Sequence, residues 1–172
     1  MNRAADVDGQ RLTMPIGWWI WKYDDSSFHR KQFQGFAGGS KAMDVVALSD
    51  EGTLWLIEVK DYRQHPRTKP SSVFAEVAAK VRATLAGLAV ARVKANDPHE
   101  RKLAAQAMTC TNLRVTLQLS QPHRPSRLFP QVIDPMDGRD KMRRELRAVD
   151  AHPLCMASAT QIANAPWQTE TL

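Results

Sequence analysis

Apolar and polar positions along the chain follow two rhythms, and each predicts its own elements. Val45-Val46-Ala47-Leu48 and Leu54-Trp55-Leu56-Ile57 are short β-branched and aliphatic runs on either side of Ser49-Asp50-Glu51-Gly52. That pattern predicts two strands, apolar on both faces, joined by a tight turn. From 72 to 94 the period changes to that of a helix. Phe74, Val77, Val81, Leu85 and Leu88 form one stripe, and Ala75, Ala79, Ala83, Ala86 and Val90 form a second. Ser72 is the expected N-cap of this helix. Asp97-Pro98-His99-Glu100 predicts another helix start, with Asp97 capping, Pro98 in the first turn and Glu100 completing a capping box. That helix is expected to run to 108 or 110. Leu113, Val115, Leu117 and Leu119 alternate with polar residues and predict a half-buried strand.

The remaining segments carry weaker patterns. Residues 1–13 are polar and aperiodic and are expected to be flexible. The aromatic cluster Trp18-Trp19-Ile20-Trp21 predicts a strand or short helix covering the core, with base-stacking platforms as the alternative. Tyr23-Asp24-Asp25-Ser26-Ser27 is a turn or a helix start, and Phe28, Phe33 and Phe36 suggest an irregular strand. A short strand is expected at 128–133, a helix at 138–149 and a last strand at 153–157, followed by a fraying tail over 159–172. The helix at 138–149 carries a basic outer face, expected to be solvated.

Charge inside the predicted hairpin needs an explanation. Asp44 opens the first strand, while Glu58 and Lys60 lie near the end of the second. An unpaired charge in a buried strand is costly. Alternation puts Glu58 and Lys60 on one face with Val59 on the other. Folding the hairpin about its turn brings Asp44 level with Glu58. Two carboxylates and an ammonium then meet at one sheet edge, a donor set suited to Mg²⁺ or Mn²⁺. The bland alternative is a surface ion pair.

Asp44, thirteen intervening residues, then Glu58-Val59-Lys60 resembles the D…(D/E)xK core of the PD-(D/E)xK, or restriction-endonuclease-like, nuclease superfamily. The resemblance implies an α/β fold: a mixed β-sheet flanked by helices, with an αβββαβ-type core and here an extra C-terminal helix and strand. It implies Asp44, Glu58 and Lys60 as catalytic residues. It also implies Asp44, Glu58 and the Val59 carbonyl as ligands of Mg²⁺ (or Mn²⁺), with Lys60 positioning the attacking water. Members often add a carboxylate from a helix ahead of the sheet. Asp24 or Asp25 is the available candidate, in a turn-like context, with plain capping as the alternative. The helix after the triplet sometimes adds a polar side chain, here Lys80 or Arg82, unless Glu76 and Lys80 simply pair with each other.

Composition narrows the partner. The chain has 172 residues, enough for a single domain with a proper core, and a net charge of +6. Residues 1–60 carry seven basic and eight acidic side chains, whereas residues 61–110 carry nine against four. The basic excess therefore begins just after the triplet, which favours a polyanionic partner. Arg63, Arg67 and Lys69 in the loop after the second strand are the expected nucleic-acid contacts. DNA is preferred to RNA. A nuclease-like module that binds nucleic acid without cutting it is the alternative function. No run approaches the roughly 20 apolar residues of a membrane span. MNRAADVDGQR lacks the apolar stretch of a secretory leader. Cys110 and Cys155 stand apart without metal spacing, so reduced thiols and a cytoplasmic location are expected. The doubly apolar helix at 72–94 is expected to pack on the sheet with one face and, with the other, on another helix or on a second subunit in a homodimer.

Overall fold

A computed structural model describes residues 3–63, 68–121, 133–156 and 165–172. The expected hairpin is present as β4 (Val45–Leu48) and β5 (Thr53–Asp61), antiparallel with Leu48 opposite Leu54. Its turn closes through the Gly52 N–H donating to the Ser49 carbonyl at 3.1 Å, with Gly52 at φ +82°, where a side chain would be strained. On one side β4 pairs with β3 (Trp19–Lys22). On the other, β5 runs parallel to β6 (Asn112–Ser120), which runs parallel to β7 (Leu154–Met156). The sheet order is β3-β4-β5-β6-β7.

Parallel neighbours require crossovers, and helices supply them. Between β5 and β6 lie α1 (Val73–Lys94) and α2 (Pro98–Ala107), and between β6 and β7 lies α3 (Pro135–Leu146). All three helices share one core with the sheet face formed by Val46, Leu54, Leu56, Val115, Leu117 and Leu119. The opposite face, with Val45, Ala47, Trp55, Ile57 and Val59, packs in a second core. A small antiparallel sheet of β1 (Ala4–Val7), β2 (Gln10–Thr13) and β8 (Gln168–Thr171) covers it. The architecture is thus mixed α/β, with helices on one face of the main sheet and a second sheet on the other. Among the described residues no helix is long and apolar enough to cross a membrane.

The second sheet corrects two expectations. Residues 4–13 are a hairpin rather than a flexible arm, with Asp8 and Gly9 both at positive φ in its turn and Leu12 fully buried. The final residues are not frayed: β8 pairs with β2, and Trp167 is buried edge-on against Trp55 at 5.2 Å between ring centroids. Gln118 ties the layers together. Its amide donates to Gln10 Oε1 at 2.7 Å and its carbonyl accepts from Trp167 Nε1 at 3.1 Å. Because this layer sits on β6, that strand is buried on both faces rather than half-buried.

Three local expectations also change. The segment at 28–36 is helical, not a strand. The Gln34 N–H reaches the His29 carbonyl at 2.7 Å, a π-type turn over His29–Phe33. Glu100 does not close a capping box. It leaves α2 and accepts from the N–H groups of Ser27 (2.7 Å) and Phe28 (2.8 Å), capping the π-type segment instead. The last helix starts at Pro135, capped by Asp134, three residues before its expected start. The expected strand at 128–133 falls almost wholly outside the described residues.

Glu100 is buried, and it is a bridge between α2 and the segment beside β3. Removing it leaves two N–H groups without their charged acceptor. Glu100→Ala is expected to cost about 2–3 kcal/mol, read as a lower urea midpoint at unchanged slope.

Candidate active site

The hairpin register sets the site. Val45 faces Ile57, so one further step puts Asp44 beside Glu58. Both side chains point to the helix-covered face, together with Lys60. Asp44 is held on three sides. Its carbonyl accepts from the Tyr23 N–H at 3.0 Å, and its Oδ2 accepts from the Val59 N–H at 2.8 Å. The preceding residue, Met43, donates its N–H to the buried Thr84 hydroxyl of α1 at 2.9 Å. Val59 turns its own side chain into the second core. A strand residue's N–H and carbonyl leave on the same side, so its carbonyl faces the Asp44 edge as well.

Glu58 is the deepest of the charged groups, with its side chain 1% exposed. Its Oε1 accepts from two ammoniums, Lys60 from its own strand and Lys80 from α1, each at 2.6 Å. Lys80 also reaches Asp44 Oδ1 at 3.3 Å. The sequence allows Lys80 either this role or a pair with Glu76; in the structure it joins the site. Lys80 projects there because it shares the sheet-facing side of α1 with Val77, Val81 and Thr84, all buried.

Of the two upstream acids, Asp24 is the one turned inward. Asp25 is exposed and paired with Lys22 at 3.3 Å and Arg30 at 3.0 Å. Asp24 follows directly on Tyr23, the residue bonded to Asp44, and its Oδ1 is buried with no hydrogen-bond partner. It comes from a turn leading into the π-type segment rather than from a full helix ahead of the sheet. His29 was not expected here. It is buried, its Nδ1 lacks a partner, and it borders the same cavity as Asp24, Glu58, Lys60, Lys69 and Lys80. A histidine in a stretch of mixed aromatic and basic residues gives no sequence signal for this. The cavity has a volume of about 730 Å³. Asp44 does not border it, whereas Lys80, which binds Asp44, does.

The loop cations separate. Lys69 is exposed at the cavity wall. Arg63 is engaged elsewhere: its guanidinium forks onto Asp61, the closest contact being 2.6 Å, and touches Thr171 of β8 at 3.1 Å. Asp61 is an odd-numbered position of β5, on the face turned from the site, and Arg63 is drawn there with it. Arg67 lies outside the described residues.

Electrostatics follow from burial. Desolvation, and then the Asp44 carboxylate, push Glu58 above the usual carboxylate range despite Lys80 and Lys60. Asp24 is raised by the same two causes in the same order. Lys60 loses hydration on burial, yet Glu58 and Asp44 hold its pKa above the ordinary lysine value. Burial, then Lys80, lower His29, which favours the neutral imidazole.

Whether a divalent cation suits this place can be judged from the donors. Glu58 Oε2 is buried without a partner, as is Asp24 Oδ1. Unpartnered buried carboxylate oxygens are costly and are the hard donors that Mg²⁺ and Mn²⁺ prefer. With all groups ionised, three carboxylates against two ammoniums leave the site one charge negative, which also suits a cation. Among the described residues no three acidic, histidine or cysteine groups already converge on a single point. Lys80 lies between Asp44 and Glu58, so a cation touching both must displace its ammonium. The donor set therefore fits, on condition that Lys80 moves.

No family model matches the chain, and no solved structure matches it. An alignment of 104 residues that covers 56% of the chain is 36% identical to part of a cysteine–tRNA ligase from Neisseria meningitidis serogroup A. That alignment covers 15% of the ligase, so the chain spans a small fraction of the relative's length.

The raised Glu58 gives a pH signature with a definite sign. A carboxyl that holds its proton more tightly when folded favours the native state at low pH. That advantage is lost as pH rises from the ordinary carboxylate value through the raised one. In EDTA, the stability of wild type relative to Glu58→Gln should therefore fall across that window. Paired urea titrations at several pH values would reveal it, and parallel curves would contradict it.

Proposed function

We propose that this protein is a divalent-metal-dependent nuclease hydrolysing phosphodiester bonds, with DNA preferred to RNA as substrate. The observation that carries the reading is the pairing of Asp44, Glu58, Lys60 and Lys80 where β4 meets β5, with the unpartnered carboxylate oxygens of Glu58 and of Asp24 from the neighbouring turn bordering one cavity. The element order supports it too. An antiparallel β3-β4-β5 meander, a helical crossover and a parallel β6 agree with the βββαβ part of a restriction-endonuclease-like core. Among the described residues no helix precedes β3, and Asp24 comes from the turn leading into the π-type segment between β3 and β4.

In this reading Asp44, Glu58, Asp24 and the Val59 carbonyl hold Mg²⁺ or Mn²⁺. When bound, the ion supplies Lewis acidity toward a phosphate oxygen and a water of lowered pKa. The chain's own groups do the rest. The Val59 N–H fixes the Asp44 carboxylate, and burial keeps Glu58 away from competing water. Lys60, charged and partly exposed, donates to the attacking water or to a non-bridging phosphate oxygen. Lys69 at the cavity wall holds a flanking phosphate. Hydrolysis forms a bond from water oxygen to phosphorus and breaks one bridging P–O bond, the departing oxygen taking a proton.

A second reading has its own support. Lys80 already neutralises both Asp44 and Glu58, as in a site that has given up its cation. The protein would then bind nucleic acid, or help assemble a complex on it, without cutting. The similarity to a segment of a cysteine–tRNA ligase keeps RNA in view as the polyanion. The ligation named for that protein is not carried over from 15% of its length.

Calorimetry with Mn²⁺ and a cleavage assay decide between the two. Single-stranded DNA, duplex DNA, supercoiled plasmid and RNA would be offered with Mg²⁺ or Mn²⁺. Asp44→Asn and Glu58→Gln are expected to lose Mn²⁺ binding and at least about a hundredfold in rate, and Lys60→Ala a comparable factor with Mn²⁺ binding kept. Nucleic-acid binding by a wild type that neither binds Mn²⁺ nor cuts would favour the silent module.

A further inference from the structure

A second cavity of about 560 Å³ opens beside the first, and the two share Ser40, Lys41 and Glu76 as a common wall. Its chemistry is different. Phe33 and Phe36 form one side, stacked at 5.2 Å between centroids with planes 23° apart. Ala79, Ala83 and Ala86 of α1 form the other, so small side chains leave a slot against the rings. Phe33 is buried, but Phe36 is 62% exposed. Ala37, Gly38 and Gly39, which follow it, all have positive φ, at 53°, 81° and 123°. A non-glycine residue in that region is strained, so the backbone spends conformational energy in holding an aromatic ring toward water. Lys41 and Arg82 flank the slot.

An apolar slot with one aromatic wall, two cations at its rim and an open side onto a candidate phosphodiester site matches one kind of occupant. We infer that the slot receives an unpaired nucleobase stacked on Phe36, with Lys41 and Arg82 on the phosphates next to it, so that the substrate is single-stranded or locally unpaired. The inference rests on the nuclease reading and names its substrate class. A base inside a duplex has both its faces covered by its neighbours and cannot enter. The apolar lining, Phe33, Phe36 and the three alanines, offers stacking rather than base-edge hydrogen bonds, so the preference is for strandedness and not for sequence. The volume falls in the range of small-ligand pockets, roughly 300–1,000 Å³. The shared Ser40–Lys41 wall is the path by which the chain continues from the stacked base toward Glu58.

The test is made on the full chain in EDTA, where no hydrolysis is expected, with an oligonucleotide carrying 2-aminopurine, single-stranded or annealed. Wild type should bind the single strand more tightly than the duplex and quench the 2-aminopurine fluorescence. Phe36→Ala, at an exposed position that should leave melting unchanged, is expected to abolish the quenching and weaken single-strand binding about tenfold, with duplex binding unaltered. Phe36→Trp should restore both. Single-strand binding and quenching that survive Phe36→Ala would overturn the inference, as would a wild type that does not bind the single strand. Sedimentation showing that Phe36→Ala dissociates a wild-type dimer would overturn it too, because the slot would then be covered by a second copy. Stacking by a protein that never cuts would remove the nuclease reading and leave the slot as a site that binds single strands without being part of a substrate channel.

Discussion

Glu58 is the group around which the site is built. Its carboxylate lies almost fully out of water in the central strand of a five-stranded sheet. Left unpaired there it would be intolerable, and two ammoniums converge on a single one of its oxygens. One comes from its own strand by alternation, and the other comes from α1 only because α1 packs across this face. The second requirement ties the site to the crossover helix. The Thr84 hydroxyl makes the same connection one turn further along, fixing the backbone just before Asp44. A helix displaced along its axis would uncouple both, so the packing of Val77, Val81 and Leu88 is also what sets the electrostatics of the site.

The balance at Glu58 is nevertheless incomplete. Burial and the Asp44 charge outweigh the two lysines and favour the protonated form, while the second oxygen finds no donor. Asp24 repeats this pattern from the neighbouring turn. A structure optimised for stability alone would place apolar residues at these positions, since isosteric replacement of buried charge is often neutral or favourable. Groups held in an unfavourable protonation balance at the edge of a cavity are the usual mark of a working site. Such a balance serves catalysis and ion-controlled binding alike.

Much of this was legible in the chain because the hairpin obeys local rules. Period-two alternation fixed which of residues 58 to 60 share a face, and the Ser-Asp-Glu-Gly turn fixed the register that sets Asp44 beside Glu58. The misses have two origins. Some elements do carry a local signal. Asp8-Gly9 between Val7 and Gln10 is a strong hairpin turn, and Asp134-Pro135 is the same helix start as Asp97-Pro98. Others had no local signal at all. Glu100 looks like the end of a capping box, and only tertiary packing sends it to Ser27 and Phe28. Asp24 and Asp25 are adjacent and chemically alike. The ion pairs of Asp25 with Lys22 and Arg30 decide which one faces the site, and those depend on the π-type turn. Arg63 belonged to the right loop but was captured by Asp61 on the wrong face.

The two cavities are also not independent, because α1 forms a wall of each. Lys80 borders the charged cavity, while Ala79, Arg82 and Ala83 border the apolar one. At 100° per residue, neighbouring positions on a helix look in different directions, so one short stretch of α1 serves both. This accounts for the apolar character of Ala79, Ala83 and Ala86 on the face of α1 away from the sheet. The alanine stripe is apolar because a slot needs small side chains beside Phe33 and Phe36, while the opposite stripe is buried on the sheet. Lys80 can also do more than neutralise Glu58. An ammonium that must leave Asp44 and Glu58 when a divalent cation arrives has phosphate as its natural next partner. A nucleic acid strand entering over Lys41 would bring that phosphate to the same cavity wall. Cation binding and substrate binding would then each relieve the cost of the other.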